Sequence, residues 1–430
     1  MKKRFPTLAT RTRGLLMGGV ATVSLLAAGV AMPAQAAEAG ADAAEIAQLR
    51  AEIQALSERL AAQEAAQQRA AEAQARADAQ IQTIPTQVQT AVAAAPKPVA
   101  KPSWTDNTVV SGRMYFDLTN ITQEQDGSRV QPTGTGFDIK RFYIGIDHKF
   151  NDMFSGNVTT DFQYSSAISS TELYLKKAYL QAKFSDALVV RLGSTDLPWV
   201  PFAEDMYGYR YVENTLIDRT KFGTSADWGV HASGKLAGGM VSYAVAAVDG
   251  AGYKAPLRSK GMDLEGRISI TPIEHLTLAV GGYTGKLGKS KQGVTTYHDA
   301  TRLNALAAYT TSTFRVGVEY FKAENWNNVT TIGSDSAEGY SLFGSYQFTP
   351  MIGAFARYDR VEPNQDTAPK RQDDYFNLGV TYSPTKIVDL SLVYKRDAVD
   401  KGFISTSNGT IGGVSDGTYD EIGLFGQFRF

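Results

Sequence analysis

From Trp104 to the final residue, apolar side chains recur at every second position in runs of about ten residues. Phe142, Ile144 and Ile146 fall on one face of such a run, with Arg141, Tyr143, Gly145 and Asp147 on the other. Leu188, Val190 and Leu192 alternate in the same way with Val189, Arg191 and Gly193. Phe314, Val316, Val318 and Tyr320 alternate with Arg315, Gly317, Glu319 and Phe321. A period of two belongs to a strand, and about ten residues is what a tilted strand needs to cross a bilayer. Sixteen such runs are expected, starting near residues 108, 137, 154, 172, 187, 226, 238, 261, 274, 302, 313, 337, 351, 374, 386 and 417.

The links between the runs sharpen this reading. Asn151-Asp152-Met153, Ser185-Asp186, Thr311-Ser312 and Thr349-Pro350 are tight turns, and they alternate with long polar connections at 120–136, 195–225, 249–260, 285–301, 324–336, 362–373 and 398–416. A soluble sandwich has no reason to keep that alternation; an outer-membrane barrel does, because its periplasmic turns are short and its external loops long. An even strand count also returns both ends of the barrel to the periplasmic side. The chain closes on Leu424-Phe425-Gly426-Gln427-Phe428-Arg429-Phe430, an alternating strand with a terminal aromatic suited to an interfacial girdle. The expected class is all-β, a 16-stranded antiparallel transmembrane β-barrel over residues 104–430.

What precedes the barrel has a different character. Residues 1–36 combine a basic start (Lys2, Lys3, Arg4, Arg11, Arg13), an apolar core from Gly14 to Val30 and the small-residue site Met32-Pro33-Ala34-Gln35-Ala36, the pattern of an export signal peptide. Residues 37–94 are rich in Ala, Gln, Glu and Arg. There Ile46, Leu49, Ile53, Leu56 and Leu60 follow heptad spacing, which predicts a short α-helical coiled-coil stalk in the periplasm; a lone Ala-rich helix is the alternative. Residues 95–103, with Pro96, Pro98 and Pro102, form a stiff linker.

Composition removes several function classes. The formal net charge is −1 and all five basic residues of the signal peptide are lost on export, so a basic nucleic-acid binder is excluded as a default. With no Cys and four His, neither a cofactor nor a metal is expected.

On a barrel wall a charge facing lipid costs about 2–4 kcal/mol at mid-depth, so charged residues must face the lumen. That phase points Arg113, Tyr115, Asp117, Arg141, Asp147, Lys177, Arg191, Glu265, Arg267, Arg315, Glu319, Arg357, Asp359 and Lys395 inward. Basic side chains outnumber acids there, which predicts either a mild preference for anions or a mixed wall selecting by size. The connection 195–225 is the longest and is aromatic for a loop in water: Trp199, Phe202, Tyr207, Tyr209 and Tyr211 lie within it. It is expected to fold into the barrel and narrow it, contributing Arg210, Glu213, Asp218 and Arg219 to the constriction, with some wall arginines pairing to it.

The run Arg191-Leu192-Gly193, then Pro198 or Pro201, then Tyr209-Arg210-Tyr211-Val212-Glu213-Asn214 and Gly223-Thr224-Ser225-Ala226-Asp227-Trp228-Gly229-Val230, resembles the phosphate-selective porin family of O and P type. The resemblance spans roughly 105–430 and is most specific between 188 and 235. It implies a sixteen-stranded, homotrimeric channel with the third loop inside, often behind a periplasmic heptad segment. That family's phosphate channels use a ladder of lumen Arg and a cluster of Lys, whereas the basic residues here are interleaved with Asp and Glu.

The function expected is passive diffusion of small hydrophilic solutes, with no enzymatic activity. One rival is an outer-membrane tether whose stalk binds the cell wall or a partner. The other is a barrel hydrolase, which would need a Ser beside one of His148, His231, His275 or His298, and no G-x-S-x-G motif frames any of them.

Overall fold

The computed structural model describes residues 103–166 and 169–430, together with positions 54, 65, 68, 69, 71–76 and 79, all of which are helical. The expected signal peptide, the rest of the expected stalk and the expected linker up to Pro102 lie outside the described residues.

The strands follow one another in chain order. The first five are β1 (Thr108–Gln125), β2 (Ser128–Lys149), β3 (Phe154–Ser165), β4 (Ser170–Ser185) and β5 (Leu188–Asp196). After a long connection come β6 (Ala226–Leu236), β7 (Val241–Val248), β8 (Asp263–Ile273), β9 (Leu276–Gly285) and β10 (Ala300–Thr310). Then follow β11 (Phe314–Glu324), β12 (Ser336–Gln347), β13 (Ile352–Glu362), β14 (Gln372–Thr385) and β15 (Val388–Asp400). A small hairpin, β16 (Phe403–Thr406) and β17 (Gly409–Gly412), precedes the closing strand β18 (Asp416–Arg429).

Every wall strand pairs antiparallel with its chain neighbours, and β1 pairs with β18, so the sixteen-stranded sheet closes and leaves no edge. Phe430 exchanges two backbone hydrogen bonds of 3.0 Å with Gly112, sealing the seam at the rim where the tight turns lie. Along each wall strand the outward phase is apolar: Leu192, Val280, Leu342, Leu378, Leu392 and Ile422 are all exposed. This inverts the pattern of a water-soluble protein and presents a continuous oily belt, which a closed barrel can carry because its backbone groups are satisfied within the sheet.

Two connections depart from the sequence expectation. The stretch 120–136 is not a polar loop: β1 and β2 run on through it as a paired hairpin and turn at Asp126-Gly127, both at positive φ (49° and 79°). Asp-Gly is the pair that a two-residue turn of this hand favours. The stretch 398–416 likewise contains the paired strands β16 and β17 rather than unstructured chain.

Two of the sheet's bulges each make a lysine the extra residue. Tyr115 of β1 faces Arg141 but Phe116 faces Ile139, and on the other side Ile139 faces Tyr164 while Phe142 faces Phe162. Lys140 is therefore the extra residue of a bulge. On β4, Thr159 faces Lys177 and Thr160 faces Leu175, which makes Lys176 the extra residue there.

Candidate functional site: an eccentric passage beside an infolded loop

The connection between β5 and β6 turns into the barrel, as its aromatic content predicts. Its base is pinched by a hydrogen bond from Leu197 N to Ser225 O at 3.0 Å. Pro201, in the first turn, opens helix α1 (Val200–Tyr207), and Gly208 ends it at φ 88°. That φ favours glycine, and a Cβ there would also push the flexible end of the Arg315 side chain aside. A single turn, α2 (Leu216–Arg219), completes the loop.

The loop is packed against one half of the wall. Trp199, Val200, Leu216, Ile217 and Phe222 are buried with Ala279 and Tyr283 of β9, Leu306 and Ala308 of β10, Phe321 of β11 and Phe343 of β12. Burying side chains of this size contributes about 1.5–3 kcal/mol each. Polar anchors fix the register. Glu319 accepts from Trp199 Nε1 at 2.6 Å and from the Tyr207 hydroxyl at 2.5 Å, and Glu265 accepts from Trp199 N at 2.9 Å. Tyr207 stacks on Phe343 and Tyr209 on Phe355, each with ring centroids 4.0 Å apart, and Tyr211 hydrogen-bonds Ser391 at 2.6 Å.

Several residues expected along the water-filled passage are instead part of this anchorage. Arg219 is wholly buried, with Asp359, Asp373 and Asp397 at 3.0, 2.7 and 2.8 Å and the Tyr375 ring 4.4 Å from its guanidinium carbon. Arg357 bonds Asp359 and the Asn214 carbonyl. Lys395 is buried between Glu421 at 2.7 Å and Glu213 at 3.4 Å. Arg267 donates to the Pro198 carbonyl at 2.9 Å and stacks on Phe202. Arg315 donates to the Asp205 carbonyl at 3.1 Å. For the four wall cations the physical reason is common: an infolded loop brings its own carbonyls, carboxylates and rings to the wall, and the nearest cations satisfy them. Arg219 is the converse, a loop cation carried to three wall carboxylates.

The opposite wall, β1–β5, stays open. A cavity of about 680 Å³ at the turn rim is bordered by Arg113, Tyr115, Tyr143, Lys176, Lys177, Asp196, Glu204 and Phe430. A second, of about 370 Å³, lies toward the loop rim among Asp117, Lys140, Arg141, Glu213, Asp218, Tyr253 and Lys254. Arg210 borders both, held by Glu204 at 2.5 Å and Asp218 at 3.6 Å. Arg191 lies on the β5 wall, bonded to Gln181 at 2.8 Å and 5.5 Å from the centre of the Tyr179 ring. Of the predicted residues, then, Arg113, Tyr115, Asp117, Arg141, Asp147, Lys177, Arg210, Glu213 and Asp218 are brought to the two cavities.

Charge in these cavities is mixed, and much of it is paired. Arg141 sits 3.1 Å from Asp161, and Lys177 bonds Asp196. Lys140 and Lys176, the two bulge residues, differ. Lys140 donates to the Val212 carbonyl at 2.9 Å, and the Lys176 ammonium stands 4.7 Å from the centre of the Tyr143 ring. Sequence reasoning missed both, because strict alternation assigns them to lipid; the one signal was the pair of adjacent cations, Lys140-Arg141 and Lys176-Lys177, in otherwise alternating strands.

Among the described residues no group of His, Asp and Glu is arranged to hold a metal, and none of the four histidines has a serine partner; His148 bonds Thr108, and both ring nitrogens of the buried His231 lack a partner.

No protein-family model matches the chain. No curated protein matches it. Solved structures do. The anion-selective porin from Comamonas acidovorans superposes with a TM-score of 0.56 at 11% identity, over 75% of this chain and 99% of that one. The outer membrane channel DcaP of Acinetobacter baumannii gives 0.53 at 15%, over 75% and 97%. A loop L8 deletion mutant of OmpT, an outer membrane protein of Vibrio cholerae, gives 0.52 at 15%, over 75% and 99%. At these identities the likeness establishes the fold, and the chain has the barrel fold of outer-membrane porins.

Proposed function

We propose that the protein is an outer-membrane porin through which small hydrophilic solutes diffuse passively, with a preference for anions. The turn rim is periplasmic, as is the expected stalk, and the long loops face outward. Solutes pass along the β1–β5 wall and squeeze by Arg210, moving down their gradient with selectivity set by diameter and fixed charge. As in the phosphate-selective porins that the sequence resembles, the unit is a homotrimer and phosphate is a candidate solute.

One observation carries the anion preference: Lys140, Arg210 and Lys176 line the successive cavities, and among the described residues neither lysine has a carboxylate within ion-pair distance. Lys140 donates to a carbonyl and Lys176 faces tyrosine rings, while Asp117, Glu213, Glu204 and Asp196 act on them only at longer range. The test is the reversal potential of the purified protein in a planar bilayer under a salt gradient, with and without phosphate. Anion selectivity that falls in Lys140→Ala and Lys176→Ala supports the reading, and block of the current by phosphate supports that solute. Weak or cationic selectivity would leave a general diffusion porin. No discrete conductance would remove the channel itself and favour a tether.

A further inference from the structure

The hairpin β16–β17 lies in the last long connection, far from the infolded loop in sequence, yet its tip reaches that loop. Its two strands are joined by Ser407 and Asn408, with Gly409 at φ 105° allowing the tight reversal. Ile404 and Ile411 point into the apolar cluster that also holds Ile121, Val399 and Tyr419, so the hairpin is inserted rather than laid on the rim. Its base is tied to the first hairpin: Gln123 Nε2 donates to the Thr410 carbonyl at 2.8 Å, and the Asp126 carboxylate accepts the amides of Val414 and Ser415 at 2.9 and 2.7 Å.

The tip makes three hydrogen bonds to the infolded loop. Ser407 N donates to the Arg219 carbonyl at 2.7 Å, satisfying an otherwise open carbonyl at the end of α2. Ser407 Oγ and Asn408 Nδ2 each donate to the Glu213 carboxylate at 2.9 Å. Ser407, Asn408 and Glu213 all border the cavity that Arg210 closes.

We infer that Ser407 and Asn408 are positioning residues for the constriction: the hairpin is a second infolded element that holds Glu213 against the wall and sets the charge that a solute meets before Arg210. This rests on the channel reading. Beyond these donors the Glu213 carboxylate has Lys395 at 3.4 Å, the backbone amide of Asn214 and, at longer range, the charge of Lys140. Without the two neutral donors its negative charge swings toward the cavity that it already borders, on the path of an anion.

The experiment uses the full chain in planar bilayers and reads conductance together with reversal potential. Asn408→Asp places a second carboxylate beside Glu213 and is expected to drive it into the passage, moving the reversal potential toward cations. Adding Glu213→Gln to that variant exchanges amide for carboxylate across the same contact, which restores the hydrogen bond and returns the reversal potential toward the parent value. Asn408→Ala, which only removes the donor, gives a shift of the same sign should the aspartate variant fail to insert. Because Asn408→Asp itself adds a charge at the cavity, Asn408→Ala decides: a merely structural role would change the yield of its inserted channels and leave the reversal potential of those that form unmoved. That outcome, in a parent protein that conducts, overturns the inference. A parent protein without channels overturns the channel reading instead.

Discussion

Replacing Arg219 by methionine removes the guanidinium while keeping an apolar stem over the Tyr375 ring. In the native protein that one group serves three carboxylates, and both it and they are fully buried. Only Asp359 has another cation, Arg357 at 2.6 Å. Breaking a buried ion pair by removing one partner costs about 3–5 kcal/mol, because the remaining charge has neither water nor a counter-ion. Since the sixteen-stranded sheet is untouched, the cost falls on the docked state of the loop. At 1.36 kcal/mol per factor of ten, loop opening should rise by between about a hundredfold and a few thousandfold. Hydrogen exchange reads this directly at the amides of Glu213, Arg219 and Thr220, which are bonded to the Tyr209, Thr215 and Leu216 carbonyls, respectively, within the loop itself. The expected result is faster exchange there and unchanged exchange in β1–β5. Unchanged exchange at the loop amides would refute the latch. Acceleration throughout the barrel would refute its local character.

Two further outcomes follow from other parts of the molecule. Leu378 is 52% exposed on the outer face of β14; Leu378→Arg should lower unfolding stability in lipid vesicles by about 2–4 kcal/mol, measured by denaturant titration, whereas a water-facing wall would show almost none of this. In the loop before β12, burial alone would raise the Asp335 carboxyl, but it accepts from Thr367, from Asn364 at 2.8 Å and from the amide of Asp366 at 3.0 Å, which hold it below the ordinary carboxylate range. A depressed value stabilises the loop above the unfolded carboxyl's range near pH 4 and loses that contribution as the pH falls through the lowered value. Exchange protection of the Asn325 and Asp366 amides should therefore drop in acid, and Asp335→Asn should abolish the pH dependence.

The alternation of tight and long links made the strand number and closure legible, because both follow from period and loop length alone. Trp199, Tyr207 and Tyr209 also signalled an infolded loop, since aromatic side chains of that density need a surface to cover. What stayed hidden has two causes. A bulge adds a residue without changing local composition, so Lys140 and Lys176 read as lipid-facing until their neighbours across the sheet are known. The division of wall cations between water and loop depends on contacts between residues far apart in the chain; Arg219 with Asp397 and Lys395 with Glu213 are pairs that no local pattern announces. The Asp126-Gly127 turn was readable in principle, but the polar residues around it masked the strands it joins.

The separation of those pairs along the chain bears on the order of assembly. Arg219 meets carboxylates 140, 154 and 178 residues downstream, and Glu213 meets Asn408 across 195. The loop is synthesised before every strand from β8 to β15 that receives it, and the hairpin that fastens it comes after them all. Contacts of such long range form late, once the intervening sheet has drawn their ends together. On the proposed channel reading, a newly closed barrel is thus wide and wet, and it gains its constriction only when the loop docks and the last hairpin falls into place behind it.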